Sequence, residues 1–175
     1  MADVKFNTKA GQTIDRCLLI LYLNTAETSA PVWSPIGKRV EDSSAEYDWG
    51  EETKTDIFGN TYTSFKKPTI TQTFEPCELD GGDAAQVRIW NRAIKDQDVQ
   101  AMADNDLLMV HLYAGEEGAA FAERYSSSSV KPSSLGGSGN IGMPIDVTFG
   151  GVRTTGTAAV ANGSVTFTPA AAAEG

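Results

Sequence analysis

The sequence offers few side chains that do chemistry, and their spacing decides against each. His111 is the single histidine, set between Val110 and Leu112 in an apolar run. A zinc centre needs several ligands, and an acyl-transfer triad needs a nucleophile and an orienting acid around the imidazole. With no second histidine and neither cysteine at ligand spacing, a structural histidine is the reading. Glu46, Asp48 and Gly50 hint at the alternate-position oxygens of a calcium loop, but the full D-x-D-x-D-G pattern is missing. Glu51 and Glu52 are adjacent, so in an extended chain they point to opposite faces and make a poor glycosidase pair. The glycines of Gly136–Gly142 lack the Lys-Ser/Thr of a phosphate-binding loop and open no evident helix. The expectation is no catalytic residue, no metal and no cofactor. Trp33, Tyr47 and Trp49 admit three readings: a sugar-stacking platform, core residues, or anchors at a protein interface. The third is favoured, because Trp and Tyr are enriched there.

These aromatics lie in or beside an unusual stretch. Between Glu41 and Asp56 stand Glu41, Asp42, Glu46, Asp48, Glu51, Glu52 and Asp56, with Lys54 the only basic residue. Such like charge resists collapse. Yet the wider segment, Trp33 to Phe65, also carries Tyr47, Trp49, Ile57, Phe58 and Tyr62. Disordered loops are normally poor in aromatics. A long acidic loop over residues 41–64 that orders by docking is therefore expected.

The remaining elements surround it. Residues 1–13 read as a frayed terminus or an arm to a neighbour. Ile14 to Leu23 is nearly continuously apolar and predicts a strand buried on both faces, with a further strand from Trp33 broken at Pro35 and Gly37. Pro68 to Leu79 alternates, with Ile70, Gln72 and Phe74 on one face and Thr69, Thr71, Thr73 and Glu75 on the other. Asp83 predicts a helix cap with Gln86 three residues on, and Val87, Trp90 and Ile94 supply a buried stripe. A short second helix follows Asp96. Asp106 to Ala114 is the strongest core strand, and Ala119 to Val130 is another. The serines of Ser126–Ser129 and the run Ser133–Gly139 suggest flexible connection. Ile145, Val147 and Phe149 alternate, Gly150-Gly151 and Asn162-Gly163 are hairpin signals, and residues 169–175 form a loose tail. The expected fold is mainly β, one domain with one packed α-helix.

The chain of 175 residues is long enough for one sizeable core. No apolar run reaches the ~20 residues a spanning helix needs, and the first residues show no export pattern, so a cytoplasmic protein without membrane insertion is expected. In that reducing setting Cys17 and Cys77 read as two buried free thiols rather than a disulfide. The net charge of −9 argues against an ordinary nucleic-acid binder, which shows a basic patch. It suits a surface that must not hold polyanions, and equally one that merely stays soluble.

The run W-S-P-I-G-K…E-D-S-S-A-E-Y-D-W-G-E-E-T-K-T-D-I-F-G, then K-K-P-T-I-T-Q-T-F-E-P, resembles the major tail (tail tube) protein of long-tailed bacteriophages. The resemblance continues through the helix and the C-terminal strands. It implies a β-sandwich or partial barrel whose inner sheet completes a barrel across subunits. It further implies stacked hexameric rings forming a negatively charged conduit for the genome, in a virion tail assembled in the host cytoplasm. Implied partners are copies of itself and the tape-measure, tail-tip and tail-terminator proteins, with DNA passing without sticking. The inter-ring role falls on Trp33, Glu41, Asp42, Glu46, Tyr47, Asp48, Trp49, Ile57, Phe58 and Tyr62, and the lumen lining on Thr69, Thr71, Thr73 and Glu75, with Ala119 to Val130 as the competing lumen strand. The alternatives are the tube of a contractile tail or phage-like bacteriocin and, from another class, a carbohydrate-binding or adhesin-like β-sandwich.

Overall fold

A computed structural model describes residues 3–171. The chain is mainly β, with eleven strands and a short helical excursion. Nine strands form one antiparallel sheet and two stand apart as a hairpin. β1 (Leu19–Asn24), β2 (Trp33–Ile36) and β7 (Asn105–Glu116) lie together, with β1 in the middle. β7 pairs with β8 (Ala119–Pro132), the longest strand. β8 pairs in turn with β9 (Ile145–Thr148) and β10 (Arg153–Ala161), and β10 with β11 (Ser164–Pro169). β6 (Thr69–Phe74) adds to β9, and β3 (Ala45–Asp48) adds to β6. The separate hairpin is β4 (Glu52–Thr55) with β5 (Thr61–Ser64).

The sheet folds over on itself as a partial barrel because its sequence is apolar on both faces. One core joins Leu21, Leu23, Leu107 and Met109 to Ile70, Phe74, Ile145 and Val147 from the opposing strands. A second, smaller core lies on the reverse face, where Tyr22, Leu108, Val110 and Ala122 meet Val165 and Phe167 of β11. The continuous apolar runs of β1 and β7 follow from this double burial.

The bend is set at Gly150-Gly151. These glycines do not turn a hairpin, contrary to the expectation. Thr148 faces Ser129 and Arg153 faces Tyr125, so β9 and β10 run on along the same edge of β8 with one extra residue between them. That is a β-bulge, which sharpens strand twist. A Cβ on Gly150 would lie 2.5 Å from the Ser127 carbonyl oxygen. Gly151 has φ +68°, and a Cβ there would lie 2.7 Å from the Ser127 nitrogen. Beyond the bulge the free edge of β9 takes β6, while that of β10 takes β11. The serines opposite are strand rather than flexible linker. Ser128 is fully buried, and its hydroxyl accepts from the Gly150 amide.

The helix α1 (Ala84–Trp90) begins as expected, with the Asp83 carboxylate accepting from the Gln86 amide. Its buried stripe differs. Ala85, Gln86 and Ile89 face the core, Trp90 and Ile94 are half-buried, and Val87 is exposed. Gln86 turns inward because its amide ties down the preceding loop, donating to the Glu78 carbonyl and accepting from the Asp80 amide. A π turn over Asn91–Lys95 leads to α2 (Val99–Ala103), capped by Asp98.

Two further expectations are corrected. The first strand begins at Leu19, because Asp15 caps a 3-10 turn over Arg16–Leu18, and this leaves Cys17 exposed. Only Cys77 is a buried thiol. Near the N-terminus, Phe6 bridges Ala114 and packs edge-on to Tyr113, so part of the expected arm lies along its own β7.

Candidate functional site

Two surfaces emerge from the acidic segment, and they were not separable in the sequence. The segment is not a loop. Its first part, β3, pairs with β6 in register, so that Glu46 stands beside Thr71 and Asp48 beside Thr69. Directly opposed residues share a face. Thr73 is in turn opposite Asp146, whose carboxylate accepts from its hydroxyl at 3.2 Å. Asp42 bridges Glu75. Thr69, Thr71, Thr73 and Glu75 are exposed, whereas Ile70, Gln72 and Phe74 are buried. The four residues expected to line a lumen thus belong to one polar face. On it stand the carboxylates Asp42, Glu46, Asp48, Glu75 and Asp146, with Lys131 beside Asp146. Asp42, Glu46 and Asp48, expected at inter-ring contacts, stand on the same face as these threonines.

The second surface is the β4–β5 hairpin. It belongs to no larger sheet. Its base closes where the Lys66 amide donates to the Trp49 carbonyl at 2.8 Å and where Lys66 ion-pairs with Glu52. Thr53 meets Thr63 and Thr55 meets Thr61 across the strands. The tip is held by Asp56. One carboxylate oxygen accepts from the Phe58 and Asn60 amides, each at 2.9 Å, and the other from the Asn60 side chain at 3.0 Å. Those hydrogen bonds, the Asn60 side chain first, hold the Asp56 carboxyl below the usual range. The turn is well made, yet Ile57 is 95% exposed and Phe58 83%. Tyr62 and Phe65 are exposed as well.

At the hairpin's base, on the side of β3 and β6 away from the polar face, lies a cleft of about 310 Å³. Tyr47 and Trp49 form one wall, with near-parallel rings 6.2 Å apart. Ile70, Phe149 and Tyr125 form the floor, the last two edge-to-face at 4.9 Å. Glu123 is buried there and fully engaged. It accepts from the Tyr125 hydroxyl at 2.8 Å and pairs with Arg153. Burial, then that hydrogen bond, raises the Tyr125 pKa, and the Glu123 carboxylate raises that of Arg153. Lys67 stands at the mouth, exposed.

The other candidates fall in different places. Trp33, expected at a contact between rings, is buried at the reverse core beneath the Arg124 guanidinium, 5.7 Å from its ring centre. Arg124 is fixed there by two hydrogen bonds to Asp106. Its anchoring is spent within its own chain. Glu41 and Asp42 lie beside the end of β6, where the Glu41 amide donates to the Glu75 carbonyl. His111 is packed among Tyr113 and Phe121, with Nδ1 2.9 Å from the Tyr113 hydroxyl. Burial lowers its pKa, so the ring is neutral at pH 7. Among the described residues no group of acidic, His or Cys side chains has the geometry of a metal site. No described helix is long and apolar enough to cross a membrane. Sequence reasoning missed the cleft because Glu123 and Arg153 look like ordinary surface charges. Only the pairing of β8 with β10 brings them beneath Tyr47.

No protein-family model matches the chain, and no curated protein matches it. Its chain path is similar to that of several solved structures. One is a chain of the sheath–tube complex of an extracellular contractile injection system (PVC) in the extended state, 12% identical, TM-score 0.46, covering 86% of this chain and 95% of that one. Another comes from the sheath/tube terminator of such a system, 13% identical, TM-score 0.49, covering 84% and 99%. A third is from the tube-terminating cap of an anti-feeding prophage, 17% identical, TM-score 0.44, covering 86% and 95%.

Proposed function

We propose that this protein is a structural, non-enzymatic subunit of a phage-tail-like tube, built by association of the chain with copies of itself. The observation that carries the reading is the β4–β5 hairpin with Ile57 and Phe58 bare at its tip. A two-stranded hairpin in water is marginal on its own. Here the turn is secured by three hydrogen bonds to one carboxylate, and its two largest apolar side chains touch almost nothing of their own chain. Apolar side chains held out on an ordered arm are what an obligate interface covers. The sequence resemblance to tail tube proteins supports the same reading, because it runs through this segment. In that reading the inter-ring contact rests on Tyr47, Trp49, Ile57, Phe58 and Tyr62.

The threonine and carboxylate face of β3, β6 and β9 is assigned to the lumen. A polyanion gains affinity by releasing counterions to cationic side chains. A face with five carboxylates and one lysine offers little of that gain, so a nucleic acid can slide past it. The sheet would be continued from subunit to subunit to close the barrel, which removes exposed strand edges.

The test is electron microscopy of the purified protein after concentration, compared with a variant lacking the hairpin. The Trp49 carbonyl and Lys66 amide are hydrogen-bonded, so residues 50–65 can be replaced by a two-residue turn without opening the body. Hollow tubes or rings from the full chain and folded monomers from the variant are expected. A variant that still forms tubes defeats the docking role.

A further inference from the structure

Building on that reading, we infer that the cleft under Tyr47 and Trp49 receives the Ile57–Phe58 tip of the hairpin from a second copy of this chain. The cleft's charged groups are already satisfied by one another. Glu123 takes both the Tyr125 hydroxyl and Arg153. What remains to receive a ligand is mainly apolar: the wall of Tyr47 and Trp49 and the floor of Ile70 and Phe149. At about 310 Å³ it is at the low end for ligand sites, which run ~300–1,000 Å³, and it suits a pair of side chains. The same chain holds out such a pair, Ile57 and Phe58.

The tip cannot fill its own cleft. The cleft lies at the hairpin base and the tip in the turn beyond Thr55, with the paired length of β4 between them, roughly 10 Å at strand rise. The β-ladder keeps these ends apart. Donor and acceptor are therefore different patches of one chain, so each copy gives a tip and receives one. Repeated head to tail from copy to copy, such a contact generates rings or open stacks. Charge agrees. Lys67 at the mouth forms no ion pair among the described residues, and the incoming tip carries Asp56 beside Phe58.

The test uses cross-linking between two variants in a Cys17→Ser background, which removes the exposed thiol and leaves Cys77 buried. One carries Thr61→Cys, an exposed position beside the tip that leaves Ile57 and Phe58 in place, and the other Lys67→Cys, and the two are mixed and treated with a short bis-maleimide. The expected result is a 61–67 cross-linked dimer at least tenfold more abundant than with a Ser134→Cys control partner. Thr61→Cys coupling mainly to itself would mean a symmetric tip-to-tip contact and would overturn the inference. So would equal coupling to the control. Lys67→Glu, a change at an exposed side chain, should raise the concentration needed for assembly about tenfold, and an unchanged threshold would count against the site. If wild-type tubes form but the 61–67 product does not, the acceptor is wrong and the tube reading stands. If the wild type stays monomeric at every concentration, both fall.

Discussion

Phe58 separates the stability of a subunit from the strength of its association. Phe58 is 83% exposed, so Phe58→Ala should leave the denaturation midpoint of the monomer almost unmoved, within about 0.5 kcal/mol. In assembly it should behave as an interface anchor, costing about 2 kcal/mol or more, which is roughly a thirtyfold rise in the concentration where tubes appear. Sedimentation at a series of concentrations reads that threshold. The glycines of the bulge should behave oppositely. Gly151→Ala places a Cβ against the Ser127 backbone at a positive φ, and should destabilise the fold by about 2 kcal/mol or more in denaturant titration. Asp56 adds a pH dependence. Its folded pKa is lowered, so the unfolded turn takes up the proton first. The stabilisation is complete above the ordinary carboxylate range and is lost as pH falls through the lowered value. The amide resonances of Phe58 and Asn60 should therefore shift together below the pH where ordinary carboxylates titrate. A transition at the ordinary value would remove the proposed role of the turn bonds.

At the scale of elements, what was legible in the sequence was local. The alternation of β6, the Asp83 cap and the apolar β7 each declare themselves within a few residues, and the structure has all three. What failed depended on distant partners. Residues 45–48 look like solvated loop because they are acidic, and they become a strand only by pairing with β6, more than twenty residues on. Gly150-Gly151 resembles a hairpin because a doubled glycine is a common turn signal, and nothing local reveals that the next strand continues along β8. The helix stripe differs for a related reason. Gln86 reads as the capping-box partner of Asp83, but its side-chain amide is spent on the backbone at Glu78 and Asp80. Trp33 reads as a contact residue by its type, whereas its burial is fixed by Arg124 and Asp106, far along the chain. The hairpin itself yields a prediction of independence. Replacing residues 50–65 by a short turn should change monomer stability by less than about 1 kcal/mol, because no strand of the main sheet pairs with β4 or β5. A large loss in thermal denaturation would mean the arm packs on its own body.

For the whole molecule, the division of surfaces matters more than any one residue. A threonine and carboxylate face, an apolar-tipped arm and a cleft at the arm's base are carried by one folded sheet. The polar face should be indifferent to DNA. Thr71→Lys with Thr73→Lys would give it two cations, and DNA binding that weakens with salt should appear in the variant and be absent from the parent. Equal DNA binding by both would remove the face from the lumen. Tyr47 lies on the opposite side of β3 from Glu46 and Asp48, so one short strand serves both surfaces.

Cryo-electron microscopy of the concentrated full chain shows whether assembly runs through the arm. Hollow rings or tubes are expected, with Ile57 and Phe58 of each copy buried against a neighbouring copy. Polymers in which both side chains remain in solvent, or a chain that never leaves the monomer, would rule this out.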